Sequence, residues 1–305
     1  MAVPVATATS GHGFLDPGDL ARLASLELRA RVVVEGALQG LHRSPFRGYS
    51  VEFAEYRPYL PGDDPSTIDW RIYARSDRYY VKRFELDTNL PCHLVVDASG
   101  SMAFGTGAVT KFAYATWLAA AFAYLLVQQR DAVGVIAFQT DVIAHVPPST
   151  RRGQWNTLLA ALTNLSAAST TSFQRPLQRV AEAMTRRGLV IVFSDLLDDD
   201  EEVVRGLRLL RARGSEVVVF HILDHAEVTL PYARASRFRD PESGRELLVS
   251  PGVIRDEYQR AVEQWCETHR QRLREAGVDY IRVDTSAPLE SAVLAWLAHR
   301  GRSIG

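Results

Sequence analysis

Leu94-Val95-Val96-Asp97-Ala98-Ser99-Gly100-Ser101 decides the reading of this chain. A short run of large apolar residues reads as a strand buried on both faces. It leads directly into one carboxylate and two hydroxyls placed on alternate residues. In an extended or gently turning backbone, residues two apart project to the same side, so Asp97, Ser99 and Ser101 can converge on one point. All three are hard oxygen donors, a set that suits Mg²⁺ or Mn²⁺, and after them Ca²⁺, and suits zinc poorly. Taken alone, the string reads equally well as a Ser/Gly-rich turn whose aspartate caps the following helix.

Downstream of Pro91 the pattern alternates. Strands are predicted at 93–96, 132–138, 142–146, 189–193, 217–223 and 280–283. Helices are predicted at 109–129, 155–165, 173–187, 201–213, 254–275 and 289–299. Continuous Val/Ile/Leu/Phe runs separated by helices of this length define an α/β fold, a doubly wound and mostly parallel sheet covered on both faces. Ligands in such sheets bind at the carboxyl ends of strands near a switch in strand order, where Asp97 is expected to lie. The segment 231–250, rich in Arg, Pro and Gly, reads as a hairpin or excursion from that domain.

Upstream, Asp16-Pro17-Gly18-Asp19 signals the start of a helix expected from about Leu20 to Leu38 and closed by Gly36 and Gly40. Residues 47–85 are dense in aromatics and arginines and are punctuated by prolines, which predicts irregular structure with short strands. The expected division is therefore a segment 1–90, a helix plus an aromatic and Arg-rich stretch packing on the main domain, and an α/β domain 91–305.

The 35 Lys+Arg against 36 Asp+Glu leave no basic excess with which to hold nucleic acid. Cys92 and Cys266 are too few for a disulfide framework and read as buried thiols in a reducing compartment. The first ten residues lack the basic and apolar regions of a signal peptide. The uncharged stretch 112–129 contains Thr116, ends in Gln128-Gln129-Arg130 and falls short of the roughly 20 apolar residues of a membrane span. Together these predict a cytoplasmic protein without a transmembrane segment, and leave peripheral docking on a membrane complex open.

An oxygen-lined Mg²⁺ site needs further donors from neighbouring strand ends. Thr170-Thr171-Ser172 and Ser194-Asp195 stand in the right loops. Read locally, the threonines also suit the N-cap of the helix that follows, and Asp195 suits a cap for the acidic helix near Asp198. The run Asp198-Asp199-Asp200-Glu201-Glu202 reads as first-turn carboxylates complementing a helix dipole. His221 and His225, one in a strand and one in a loop, do not read as a zinc pair.

The order Asp97-x-Ser99-x-Ser101, a second-loop threonine, then Asp195 closing an apolar strand resembles the metal-ion-dependent adhesion site of von Willebrand factor A domains. The resemblance implies that Ser99, Ser101 and Thr171 coordinate the metal directly or through water, that Asp97 and Asp195 orient waters, and that a partner's carboxylate completes the shell. Thr171 matches better than Thr170, with Ser172 departing from the family pattern. Gly48-Tyr-Ser-Val-Glu-Phe-Ala-Glu-Tyr-Arg-Pro-Tyr59, Pro61-Gly62-Asp63-Asp64, Ile68-Asp69-Trp70-Arg71 and Ala74-Arg75 resemble the hallmark of the bacterial domain-of-unknown-function family fifty-eight. That resemblance implies work beside a MoxR-type AAA+ ATPase in maturing or remodelling other proteins.

Two classes of function follow. The first is a non-enzymatic module whose divalent ion grips an Asp or Glu carboxylate on the ATPase or on a client protein. The second is a metal-dependent hydrolase or phosphotransferase using Asp97. Against the second, a dehalogenase-type phosphatase needs a second aspartate where this chain has Ser99, and no phosphate loop, nucleophile elbow or HExxH helix is present.

Overall fold

The computed structural model describes residues 14–43, 53–58, 80–84, 90–168, 174–184, 186–239 and 244–303. The segment expected to be one helix from Leu20 is two: α1 (Pro17–Ala21) and α2 (Leu26–Arg43). Asp16 caps α1 as the start signal required, its side chain accepting from the Gly18 amide. The break comes from tertiary capping that periodicity does not register. The Arg29 guanidinium donates to the carbonyls of Leu20, Ala21 and Leu23, taking up the free carbonyls at the end of α1, while the Ser25 hydroxyl accepts from the Leu28 amide to start α2. Gly36 and Gly40 do not end the helix. They lie inside it, where a Cβ would stand 3.1 Å from Glu290 Cγ and 2.9 Å from the Phe14 ring, so they serve close packing.

After α2 come β1 (Phe53–Pro58) and β2 (Tyr80–Phe84), an antiparallel pair. The remaining hallmark positions, including Asp63, Asp64, Asp69, Arg71 and Arg75, lie outside the described residues. The main domain then runs β3 (Cys92–Asp97), a 3-10 turn (Ser101–Ala103), α3 (Lys111–Gln128), β4 (Val133–Phe138), β5 (Val142–Ser149), α4 (Gln154–Thr163), α5 (Gln174–Ala183), β6 (Leu189–Ser194), α6 (Asp200–Ala212) and β7 (Glu216–Leu223). It continues with α7 (His225–Thr229), β8 (Ser236–Arg239), β9 (Glu246–Val249), α8 (Pro251–Glu275), β10 (Asp279–Asp284) and α9 (Leu289–Ser303). Strands β8 and β9 form a separate antiparallel pair.

Six strands lie in the order β10-β7-β6-β3-β4-β5, all parallel except β5, which runs antiparallel at the edge. This is the doubly wound, mostly parallel α/β sheet expected. Its two faces are read from strand alternation. Leu94, Val96, Ile191, Phe193, Val218 and Phe220 enter one core with α2, α3, α4 and α9, whereas Val95, Val190, Val192, Val217 and Val219 enter the other with α5 and α6. Both faces being covered explains why the strands read as unbroken apolar runs. Helix α3 is buried nearly all round, and Phe122 on it meets Phe193, Phe220 and Trp296 with ring centroids 5.9, 5.3 and 5.0 Å away.

Edge strand β5 carries Pro147 and Pro148 where its register with β4 shifts between Val135 and Val133. Cys92 and Cys266 are both free and buried. His93 on β3 is buried, and its Nδ1 has no hydrogen-bond partner among the described residues. Burial, with His145 adding to it, pulls its pKa down to about 4. The unfolded histidine titrates near 6.5, so between pH 6.5 and 4 the unfolded state takes up a proton that the native state refuses. Stability should fall as pH drops through that window, by up to about 3 kcal/mol at 1.36 kcal/mol per pK unit. Chemical denaturation at pH 4.5, 5.5 and 7 should show a shallower slope in His93→Leu than in wild type; equal slopes would refute the assignment.

Candidate metal centre

The chain leaves β3 to build β4 and β5 on one side, then returns to place β6 on the other side of β3. The carboxyl ends of β3 and β6 therefore meet at the switch in strand order, bringing together Asp97 and Asp195. Both are buried, as are Ser99, Ser101 and Ser194. Asp97 Oδ1 accepts from the Ser99 amide at 2.9 Å and its Oδ2 from the Ser194 hydroxyl at 2.6 Å. Asp97 thus folds its own loop, and it does not cap the 3-10 turn that follows, whose N-cap is Gly100. The Ser99 and Ser101 hydroxyl oxygens lie 3.0 Å apart.

That spacing tests the ion the loop suggests. Two adjacent ligands of an octahedral Mg²⁺ at 2.0–2.1 Å stand about 2.9 Å apart, and the hydroxyl pair has close to that spacing. No cluster of three His, Cys, Asp or Glu side chains suited to a metal occurs among the described residues, so any ion here must rely on hydroxyls. Burial, with the negative charge of Asp195 adding to it, pushes the Asp97 pKa up to about 7; the hydrogen bonds from Ser194 and Ser99 work the other way. A cation at this edge would relieve that strain.

Thr170, Thr171 and Ser172 lie outside the described residues. Ahead of them, the Ala168 amide donates to the Ala98 carbonyl at 3.0 Å.

Asp195 does not cap α6, the local reading that the sequence offered. Its Oδ2 accepts from Lys111 Nζ at 2.8 Å and its Oδ1 from the Leu197 amide at 3.2 Å. The cap of α6 is Asp199, which accepts from the amides of Glu201 and Glu202. Leu196 beside it has φ 54°, a left-handed conformation uncommon for leucine, and its amide is held by the Ser194 hydroxyl. His221 Nε2 lies 2.9 Å from the Asp195 carbonyl and its Nδ1 lies 2.6 Å from the Tyr280 hydroxyl, so the Asp195 backbone is fixed from the next strand. His225 instead meets Asp284. The two histidines have separate partners.

Two groups at this edge were not singled out from the sequence. Lys111 opens α3 with its ammonium fully buried, 2.6 Å from Glu227 Oε1 as well as 2.8 Å from Asp195. Burial works against its charge, but the two carboxylates outweigh it and hold the pKa above the ordinary lysine value. Its signal was present: Lys111 is the one charged residue of an otherwise neutral 18-residue helix. Asp224, past β7, accepts from the Thr106 hydroxyl and amide, the Ala226 amide and the Thr285 hydroxyl. It ties the loop after Ser101 to the ends of β7 and β10. These partners are 118 and 61 residues away in sequence, beyond what a local pattern can reveal.

An uncharacterised protein of Mycobacterium tuberculosis (strain ATCC 25618 / H37Rv) is 30% identical over 293 residues, covering 94% of this chain and 91% of its own, and an uncharacterised protein of Mycobacterium bovis matches to the same extent. Among solved structures, BatB from Bacteroides thetaiotaomicron is similar with a TM-score of 0.49 and 18% identity, over 70% of this chain and 99% of that one. The SpRpn10 VWA domain is similar with a TM-score of 0.42 and 13% identity, over 69% of this chain and 94% of that one. The model of one family, protein of unknown function DUF58, matches residues 55–268, and with that match over most of its length this chain belongs to the DUF58 family.

Proposed function

We propose that this protein is a non-enzymatic, divalent-metal-dependent interaction module. Mg²⁺ or Mn²⁺ would sit on Ser99, Ser101 and Thr171, with Asp97 and Asp195 orienting its waters and one position left open for an Asp or Glu carboxylate of a partner. The observation that carries this reading is the pair of buried serine hydroxyls 3.0 Å apart beside Asp97 at the switch in strand order. The bound ion supplies a positive charge toward which a partner's carboxylate is drawn. This chain's own groups set the loop and fix the Asp195 backbone.

A MoxR-type AAA+ ATPase, or a client of one, is the partner the family resemblance implies. No helix of the described residues is long and apolar enough to cross a membrane. The two free, buried cysteines suit the reducing, cytoplasmic setting that belongs to this reading.

The test is co-purification of the full chain with a MoxR-type ATPase from the same genome. The complex should form in Mg²⁺ and be lost with chelator and in Ser99→Ala. A complex indifferent to chelator would remove the metal from the reading. Mg²⁺-dependent hydrolysis of a phosphate ester, abolished by Asp97→Ala, would replace it with the enzymatic one.

A further inference from the structure

Lys111 sits at the amino end of α3, where the helix dipole disfavours a cation, and its side chain is 0% exposed. Taking an ammonium out of water costs several kcal/mol, and an apolar residue would pack between helix and sheet without that cost. The charge is therefore explained by what it meets. Lys111 Nζ lies between Asp195 Oδ2 at 2.8 Å and Glu227 Oε1 at 2.6 Å, under the Phe104 ring with its centroid 5.8 Å away. Glu227 is itself anchored, since its Oε2 accepts from the Asp224 amide in the capping box of α7.

We propose that Lys111 is an internal, tethered cation of this site. It holds Asp195 when no divalent ion is present and competes with the ion for that carboxylate, so that Lys111 and Glu227 together set the metal affinity of the Asp97 loop. This rests on the metal reading above. Without Lys111, Asp195 would lose its nearest cation and keep the Leu197 amide, with the Asp97 charge nearby. With it, the loop is shaped before the ion arrives, at the expense of affinity. Glu227 moderates the competition by offering the ammonium a second anchor, so Asp195 can turn to the ion while Lys111 stays paired.

Two substitutions should shift affinity in opposite directions, which a purely structural role for the triad would not do. Calorimetric titration of the full chain with MgCl₂ and with MnCl₂ reads the effect. Lys111→Met keeps the length of the stem and removes the charge, and should tighten binding about 10-fold. Glu227→Gln commits the ammonium to Asp195 alone and should weaken binding about 10-fold, both sizes being those of one nearby charge screened as in a partly buried site. Unchanged affinity in both variants, or a change of the same sign, overturns the proposal. If Lys111→Met does not fold, Glu227→Gln decides alone, because Glu227 is the more exposed of the pair: weaker binding supports the competition, and unchanged or tighter binding rejects it. Failure of the underlying metal reading looks different, since then the wild-type chain itself binds neither ion.

Discussion

Saturating Mg²⁺ is expected to raise the melting temperature of the wild-type chain by several degrees, and Asp97→Ala is expected to show no rise at all. At 100 times its dissociation constant, an ion that binds only the native state contributes about 2.7 kcal/mol, and in chains of this size each kcal/mol moves the midpoint by about 2–4 °C. The variant removes the carboxylate to which the Ser99 amide and Ser194 hydroxyl donate, so its metal-free stability will also change. The quantity to compare is the difference with and without metal in each protein, measured by scanning calorimetry. The rise should also grow between pH 6 and 8. Burial and Asp195 hold the metal-free Asp97 pKa at about 7, and an ion favours the ionised form. An equal rise in wild type and Asp97→Ala would place the ion elsewhere.

The second large effect concerns the core rather than the site. Phe122→Ala should cost about 3–5 kcal/mol, the range for emptying a fully buried aromatic position. Phe122 is 0% exposed and touches β6 through Phe193, β7 through Phe220 and α9 through Trp296. The helix, two central strands and the last helix all lose contacts to the same cavity, so little of it can collapse. Phe122→Leu retains most of the volume and should recover more than half of the loss in urea denaturation. A loss below about 1 kcal/mol in Phe122→Ala would mean that the four rings do not form a shared core.

What the sequence made legible follows from burial. Strands β3, β6 and β7 are covered on both faces, so their apolar runs are continuous and could be placed closely. The break between α1 and α2 was hidden, because it depends on the Arg29 guanidinium reaching three carbonyls. At the site, Asp97, Ser99 and Ser101 were legible because alternation in one short loop is a local property. The engagement of Asp195 with Lys111 spans 84 residues, and only the fold brings that pair together. The threonine of the second loop rests on the resemblance alone, since it lies outside the described residues.

Strand β5 closes one flank of the sheet, and two of its successive residues, Pro147 and Pro148, have no amide hydrogen to offer. A sheet edge ordinarily acts as a template on which a further chain can crystallise strand by strand. Here the prolines withhold donors from that template, which weakens strand addition at this end of β5. Polymerisation along this flank is therefore disfavoured at its proline-bearing end, where an encounter must rely more on side chains than on shared backbone.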